Sequence, residues 1–445
     1  MGAPTTITYC LALLALLPIS AHAQPGNDSQ PRSLTVEQAV QVGLRSNPEL
    51  HAMDAEVRMA TAETGMARAM TRFQVSTTTY LGTGTMPNIL STSPGVQPTN
   101  NNLVPKQSFV TQNVTLMAPL YTGGRLSGTV RAAQAQEQAT TEDRKEMRLQ
   151  VALMVREAYF QSLLAEEMVK TAQARLDAAD ALLAVTRALF EVGKGIQASV
   201  QRVEAERAEA LGMLQKAQND VARMLLELRE AMGISLDTPL TLTDGLAAPQ
   251  SVADLNAALR QAREQRPLLH AFRLRLAASR ARKSSAQGAF RPQVYVGAMA
   301  DAVRSREMGT ETGYTVGATI SLPLLDGGQR RAEGNRALAE EDRAAATLRS
   351  AEQRVEREVR IAYVNIDTAR QNRQSAEAGL LAAQAAYEVV ALRVQNQKAI
   401  LVEQLEALAA VTQARVALAR ARFDFAISEA QLRRACGIES EGQKP

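Results

Sequence analysis

The sequence predicts a mainly α fold with a small β part, in which a duplicated long-helix α-barrel is continued by a transmembrane β-barrel. Three observations carry this prediction. The chain is written twice in one register, each half ends in two long proline-free helical stretches, and each half holds two short strands of alternating polarity. Four strands cannot close a barrel, and an open strand edge is not tolerated in lipid. The β-barrel must therefore be shared between copies of the chain.

The N-terminus has the pattern of a signal peptide over residues 1–23. An apolar run from Ile7 to Ile19 precedes the small-x-small cleavage signal Ala21-His22-Ala23. A helix needs about 20 apolar residues to cross a bilayer, so this run is too short. Cys10 lacks the small residue that should follow a lipid-attachment cysteine, so no lipid anchor is predicted. We therefore expect a secreted mature chain.

The duplication follows from matched segments. Asn47-Pro48 corresponds to Arg266-Pro267 at an offset of 266 − 47 = 219 residues, and Pro119 corresponds to Pro323 at 323 − 119 = 204. The difference, 219 − 204 = 15 residues, falls in a Pro-, Thr- and Asn-rich loop over 82–107. We assign a first structural repeat to 24–245, a second to 246–438 and a short C-terminal tail to 439–445.

Each repeat reads as two helices, two strands and a long helical hairpin. The opening helices are predicted over 34–45 and 252–266, with Ser33 and Ser251 as N-caps, and the next helices over 49–71 and 268–289. The strands are predicted at 73–81 and 108–118 in the first repeat and at 294–300 and 314–322 in the second. The hairpins cover 125–232 and 329–436, and a rod from 125 to 189 would be roughly 100 Å long.

Composition argues against an enzyme and against several kinds of binding site. Only 4% of the 445 residues are aromatic, there is no Trp, and the chain contains two Cys and three His. Cys10 and His22 lie in the leader, so the mature chain keeps too few such ligands for a metal site, and no cofactor is predicted. A net charge of +4 gives no indication of nucleic-acid binding.

The chain resembles the TolC-family outer-membrane efflux proteins over about residues 33–438. The resemblance rests on two strand-to-helix turns of the form Pro-x-x-x-Gly-Gly, on two Ala-Tyr pairs and on glycines at the hairpin ends: Pro119, Gly123, Gly124, Pro323, Gly327, Gly328, Tyr159, Tyr363, Gly233 and Gly437. It implies a homotrimer in the outer membrane of a Gram-negative bacterium, with 4 × 3 = 12 strands in one barrel and an α-barrel extending into the periplasm. The implied function is a passive exit duct of a tripartite efflux or type I secretion system, joined to a periplasmic adaptor protein and an inner-membrane pump.

The resemblance also implies roles for the helical tips and for an acidic pair. The first tip, with Val192, Gly193, Lys194 and Gly195, resembles an adaptor-docking turn; the second, with Asn396, Gln397 and Lys398, has no Gly, and Asn396 is expected to serve in its place. Glu403 and Glu406, three residues apart on one helical face, resemble the carboxylates of a periplasmic gate, whereas the first repeat has Ser199 and Arg202 there. A solvated helix face is the plainer interpretation of this pair.

A secreted coiled-coil adaptor or scaffold of the periplasm is the alternative. Such an adaptor would need separate small β-domains, and it would not contain the Pro-x-x-x-Gly-Gly turn twice. The transported cargo (drug, metal or protein), the class of pump and the identity of the adaptor stay open at this stage.

Overall fold

The computed structural model describes residues 32–84, 107–245, 254–305, 309–396 and 398–439. The predicted signal peptide, most of the loop over 82–107, Gln397 and nearly all of the C-terminal tail lie outside the described residues. The first repeat contains β1 (Arg32–Leu34), α1 (Val36–Ser46), α2 (Pro48–Ala69), β2 (Gln74–Gly84), β3 (Gln107–Tyr121), α3 (Arg125–Glu191), α4 (Gln197–Met232) and β4 (Leu240–Leu242). The second contains α5 (Leu255–Gln265), α6 (Pro267–Gly288), β5 (Gln293–Ser305), β6 (Gly309–Ser321), α7 (Gln329–Gln395) and α8 (Leu401–Cys436).

The long helices match between the repeats in length. Both α3 and α7 have 67 residues, and both α4 and α8 have 36. At 1.5 Å per residue, a 67-residue helix is about 100 Å long. Pro48 and Pro267 each occupy the first turn of a helix, α2 and α6, where a missing N–H costs nothing.

The helix starts and strand lengths differ from the sequence prediction. Thr35, not Ser33, caps α1: the Gln38 amide donates to Thr35 Oγ1 at 3.3 Å and the Thr35 amide donates to Gln38 Oε1 at 2.9 Å. Ser33 lies in β1, which pairs in parallel with β4. Asp254 caps α5, and Ser251 lies outside the described residues. All four long strands are longer than predicted, each extending past its predicted limit at one or both ends, because backbone pairing continues past the residues that show clear alternation.

The helices form a layer that continues the sheet. The sheet has the order β2-β3-β5-β6. Helix α3 packs between α2 and α6, and α6 packs on α7, so the helical layer runs α2-α3-α6-α7 in the same order. Helix α1 packs on α3 and α4, and α5 packs on α7 and α8. None of the described helices is both long and apolar enough to cross a membrane.

Each repeat has its own hydrophobic core midway along the long helices. In the first repeat, Val155 and Tyr159 of α3 pack with Val40 of α1 and Leu228 of α4. The Tyr159 hydroxyl donates to the Leu34 carbonyl at 2.8 Å, and burial raises the pKa of this phenol to about 12. The second repeat builds the matching cluster from α5, α6, α7 and α8.

A buried arginine joins the two repeats. The side chain of Arg266 is fully buried and donates two hydrogen bonds to the Glu146 carboxylate, at 2.8 and 2.9 Å. It also donates to the Arg434 carbonyl at 2.5 Å and reaches Glu358 at 3.2 Å. Asn47, its counterpart in the first repeat, donates to the Ala231 carbonyl at 2.9 Å. The residue before the helix-starting proline therefore makes an ion pair in the second repeat and a neutral hydrogen bond in the first.

Candidate functional site

The sheet has one apolar and one polar face. Val75, Leu116, Ala298 and Val316 are cross-strand partners and therefore lie in one row on one face. A row on the other face is polar and consists of Thr78, Asn113, Asp301 and Gly313. The amide of Asn113 donates to the Asp301 carboxylate at 2.5 Å, and the Thr115 hydroxyl donates to Asn113 Oδ1 at 2.6 Å. This division suits strands with lipid on one side and water on the other.

Both outer strands of the sheet have an unpaired edge. Within the described part of the chain, β2 pairs only with β3, and β6 pairs only with β5. The two free edges expose rows of unpaired backbone donors and acceptors. Unpaired backbone groups are not tolerated in lipid, so both edges need a further strand as partner.

The strand-to-helix turns have the same backbone in both repeats. Gly123 and Gly124 have φ angles of 62° and 93°, and Gly327 and Gly328 have 64° and 94°. These are left-handed conformations that favour glycine. Pro119 lies inside β3, at an irregularity between Pro119 and Tyr121, and so does not belong to the turn itself. Pro323 follows the end of β6.

The residue before each Gly-Gly pair supports the turn, a role that the sequence analysis did not assign. The Asp326 carboxylate accepts hydrogen bonds from the amides of Gly328, at 3.1 Å, and Arg330, at 3.0 Å. Its ion pair with the Arg330 guanidinium is the main reason that the pKa of Asp326 is lowered. Thr122, the counterpart of Asp326, accepts from the Leu126 amide at 3.4 Å. A Thr or Asp just before the Gly-Gly pair was the available signal.

The first turn is packed against the second repeat, whereas the second turn is open. A Cβ atom added to Gly123 would lie 2.5 Å from the Gly288 carbonyl oxygen and 2.5 Å from Arg291 Cβ. A Cβ added to Gly128, one turn along α3, would lie 2.8 Å from Ser285. At Gly327, the counterpart of Gly123, nothing in the described chain lies within 4 Å.

The two helical tips share a hydrogen-bond pattern. The Lys194 amide donates to the Leu189 carbonyl at 2.8 Å, and the Lys398 amide donates to the Arg393 carbonyl at 2.8 Å. Gly193 has a φ angle of 74°. Asn396 does not take over this conformation: its φ angle is −87°, and its side-chain amide donates to the Leu392 carbonyl at 2.8 Å. The expectation for Asn396 was therefore wrong, because in the 204-residue register it matches Val192, whose φ angle is also −87°.

Gly195 lies where the first tip comes close to its own helix. A Cβ on this residue would approach the Phe190 amide nitrogen to 3.1 Å. Apolar side chains around both tips are exposed: Val192 (66%), Ile196 (67%) and Ile400 (62%). Lys194 and Lys398 are exposed beside them. Gln397 lies outside the described residues.

Glu403 and Glu406 lie in the first two turns of α8. Leu401 and Leu405 of the same turns pack against Leu182, Leu183 and Val203. At 100° per residue, the two glutamates point away from that packed face. Neither carboxylate makes an ion pair with another described residue, and Glu406 is exposed. The pair therefore lies beside the tips, with Glu403 half-buried and Glu406 exposed.

Comparison with known proteins identifies the family. The model of the outer membrane efflux protein family matches residues 39–234 and 258–438, which is most of the chain. The chain belongs to the outer membrane efflux protein family. It is accordingly an outer-membrane protein of a Gram-negative bacterium that extends into the periplasm.

Relatives within this family resemble the chain over most of its length. Protein CyaE of Bordetella pertussis is 27% identical over 348 residues, which cover 77% of this chain and 71% of CyaE. Outer membrane efflux protein BepC of Brucella suis is 22% identical over 91% of this chain and 86% of its own. The CmeC outer membrane channel of Campylobacter jejuni has the same fold, with a TM-score of 0.78, 17% identity and coverage of 91% and 87% of the two chains.

These relatives confirm the predicted fold class and the efflux family. BepC is an outer membrane efflux protein and CmeC is an outer membrane channel, which supports a non-enzymatic role for this member of the family.

Proposed function

We propose that this efflux-family protein is a homotrimeric, passive exit duct from the periplasm to the outside, serving a tripartite efflux or type I secretion system. The observation that carries the proposal is the sheet with two free edges that continues into a helical layer of the same order. A ring of three copies closes the sheet into 4 × 3 = 12 strands, and the helices continue it as a tube. The apolar face of the sheet then meets lipid and the polar face lines the lumen.

The duplication specifies how neighbouring copies meet. Inside one chain, the second strand of the first repeat, β3, pairs with the first strand of the second repeat, β5. The equivalent contact between copies joins β6 of one chain to β2 of the next. The pair Leu116 and Ala298 translates, by 116 + 204 = 320 and 298 − 219 = 79, into Ile320 against Thr79 of the neighbouring copy. Gly327 would then face α2 of that copy, as Gly123 faces α6 within the chain.

Cysteine cross-linking tests this arrangement. In the variant Thr79→Cys with Ile320→Cys, cross-strand Cα atoms about 4.5–5.5 Å apart allow a disulfide. Oxidation should give a covalent trimer on a non-reducing gel. The control is Thr79→Cys with Thr319→Cys, whose second side chain points to the opposite face of the sheet and should not cross-link. The native Cys436 is buried and does not interfere. A monomer released from membranes by high salt and alkali, without cross-links, would refute the duct.

The exposed apolar tips support docking of a periplasmic adaptor that is joined to an inner-membrane pump. Val192, Ile196 and Ile400 present an apolar surface at the end of a helical tube, with Lys194 and Lys398 beside it. Val192→Asp should abolish efflux or secretion by whole cells while the purified trimer still conducts ions. Val185→Asp is the matched control, because the Val185 side chain is 54% exposed and lies on α3 about two helical turns before the tip. Equal activity of the two variants would contradict docking at the tips.

The alternative, a secreted coiled-coil adaptor or scaffold, predicts different behaviour in the same experiments. It would be recovered in the soluble periplasmic fraction and would not conduct ions in a planar bilayer. The family match and the four-stranded sheet with one apolar face favour the duct.

A further inference from the structure

A basic groove lies between α6 and α7. It encloses about 520 Å³ and is lined by Phe272, Arg275 and Arg282 of α6 and by Arg336, Glu340 and Arg343 of α7. Four guanidinium groups and one carboxylate give this short stretch a formal charge of 4 − 1 = +3. The whole chain has a net charge of only +4, so the groove concentrates positive charge.

Two of the four arginines are available to a ligand. Arg275 is paired with Asp143 and lies over the Phe272 ring, 5.2 Å from its centroid. Arg336 is paired with Glu340 at 3.0 Å. Arg282 and Arg343 are exposed and make no ion pair with any described residue. The groove therefore has two held and two unpaired guanidinium groups.

The spacing of the arginines matches an anion with more than one charged group. Along each helix the two arginines are seven residues apart, by 282 − 275 = 7 and 343 − 336 = 7. Seven residues are two helical turns, or about 10 Å. Guanidinium groups bind phosphate and carboxylate in a bidentate manner. Two levels of arginine can thus hold charged groups about 10 Å apart.

The first repeat shows that the fold does not require this charge. The positions on α2 that match Arg275 and Arg282 are Glu56 and Glu63, by subtraction of 219. The positions on α3 that match Arg336 and Arg343 are Ala132 and Ala139, by subtraction of 204. The same scaffold is therefore acidic in one repeat and basic in the other.

We propose that the groove between α6 and α7 is a binding site for an oligoanionic periplasmic ligand that carries phosphate or carboxylate groups. Binding needs only one chain. Its exposure to periplasmic solutes rests on the proposed duct.

Titration calorimetry on the full-length protein in detergent tests the site, with inorganic tripolyphosphate and citrate as probes. Wild-type protein should bind at least one of them saturably, at one site per chain. Arg282→Gln with Arg343→Gln should weaken binding at least about tenfold, as expected for the loss of two charge-assisted contacts. Glu340→Gln, which frees Arg336, should tighten it about threefold.

The control keeps the change in charge but leaves the groove intact. Arg349→Gln with Arg354→Gln removes two exposed arginines of α7 that make no ion pair with described residues, and it should alter binding less than about twofold. Equal weakening by both double variants, or no binding of either probe to wild type, would overturn the site. Trimer formation and ion conductance, measured on the same preparations, report on the duct separately, so the failure of one proposal is distinguishable from the failure of the other.

Discussion

Alanine at Gly123 should destabilise the fold more than alanine at the neighbouring Gly124. Both residues are in the left-handed region, where a Cβ costs roughly 1–2 kcal/mol. At Gly124 nothing lies within 4 Å of the added atom, whereas at Gly123 it would lie 2.5 Å from the Gly288 carbonyl oxygen. Relief of that overlap moves backbone and costs typically about 1–3 kcal/mol more. The free energy of unfolding should therefore fall by about 2–5 kcal/mol for Gly123→Ala and by about 1–2 kcal/mol for Gly124→Ala.

Gly327→Ala extends the test to the proposed assembly. In the single chain its Cβ meets nothing within 4 Å, so the folded chain should lose only the backbone cost. In the ring, Gly327 faces Ala69 and Arg72 of the next copy, which match Gly288 and Arg291 by subtraction of 219. The substitution should then weaken each of three contacts by about 1–3 kcal/mol and lower the temperature at which the trimer dissociates.

Two measurements separate these effects. Helical circular dichroism during denaturation in detergent follows unfolding of the chain, and gel electrophoresis after stepwise heating follows dissociation of the trimer. Gly123→Ala with the same unfolding free energy as Gly124→Ala would refute the steric argument. A Gly327→Ala trimer that dissociates at the wild-type temperature would refute the repeat-equivalent contact between copies.

Four further variants test the ion pair between the repeats, the core of the first repeat and the proposed duct. Arg266→Asn, which copies Asn47, should cost about 1.5–3 kcal/mol of unfolding free energy in denaturant, because it removes two charge-assisted hydrogen bonds from half-buried Glu146 and leaves that carboxylate with Arg434 alone. Tyr159→Phe should cost about 1 kcal/mol by the same assay, since it removes one buried hydrogen bond; no loss would contradict that bond. Glu403→Gln with Glu406→Gln should raise single-channel conductance of the closed form and weaken block by divalent cations, and unchanged traces would remove the gate role. Asp301→Asn should reduce cation selectivity, measured as a shift in reversal potential, and an unchanged potential would contradict the placement of Asp301 in the lumen.

Much of the fold could be predicted because its signals are long and repeated. Helix α3 begins at Arg125 as expected and ends at Glu191, two residues past the predicted end, because the chain offers no proline and has a Gly-Gly pair at one end and Gly193 at the other. The two strand-to-helix turns could be predicted because the same Gly-Gly pair occurs in both repeats. Periodicity over many residues determines element type, even where tertiary contacts are unknown.

Contacts between distant residues could not be predicted. The three-residue strands β1 and β4 are too short to show a period, and they pair across about 200 residues of chain, as in Arg32 with Leu240. Arg266 looks like an ordinary residue before a proline, yet its partner Glu146 is 120 positions away. The basic groove was missed because its arginines come from α6 and α7, which pack together but are separated along the chain by strands β5 and β6. The misassignment at Asn396 had a local cause, since in the 204-residue register Asn396 matches Val192 and not Gly193.

The length of α3 has a mechanical consequence. The helix is attached near its membrane end by the close approach of Gly123 to Gly288, and about a third of the way along by the ion pair of Glu146 with Arg266. From Glu146 to Glu191 there are 191 − 146 = 45 residues of helix without a Pro, or about 68 Å. A tilt of about 5° around the ion pair would displace the tip by about 6 Å, roughly the rise of one helical turn. A rotation of α3 about this ion pair, together with the α4 that packs along it, would thus be amplified at the end of the helix that the proposed duct turns toward the periplasm.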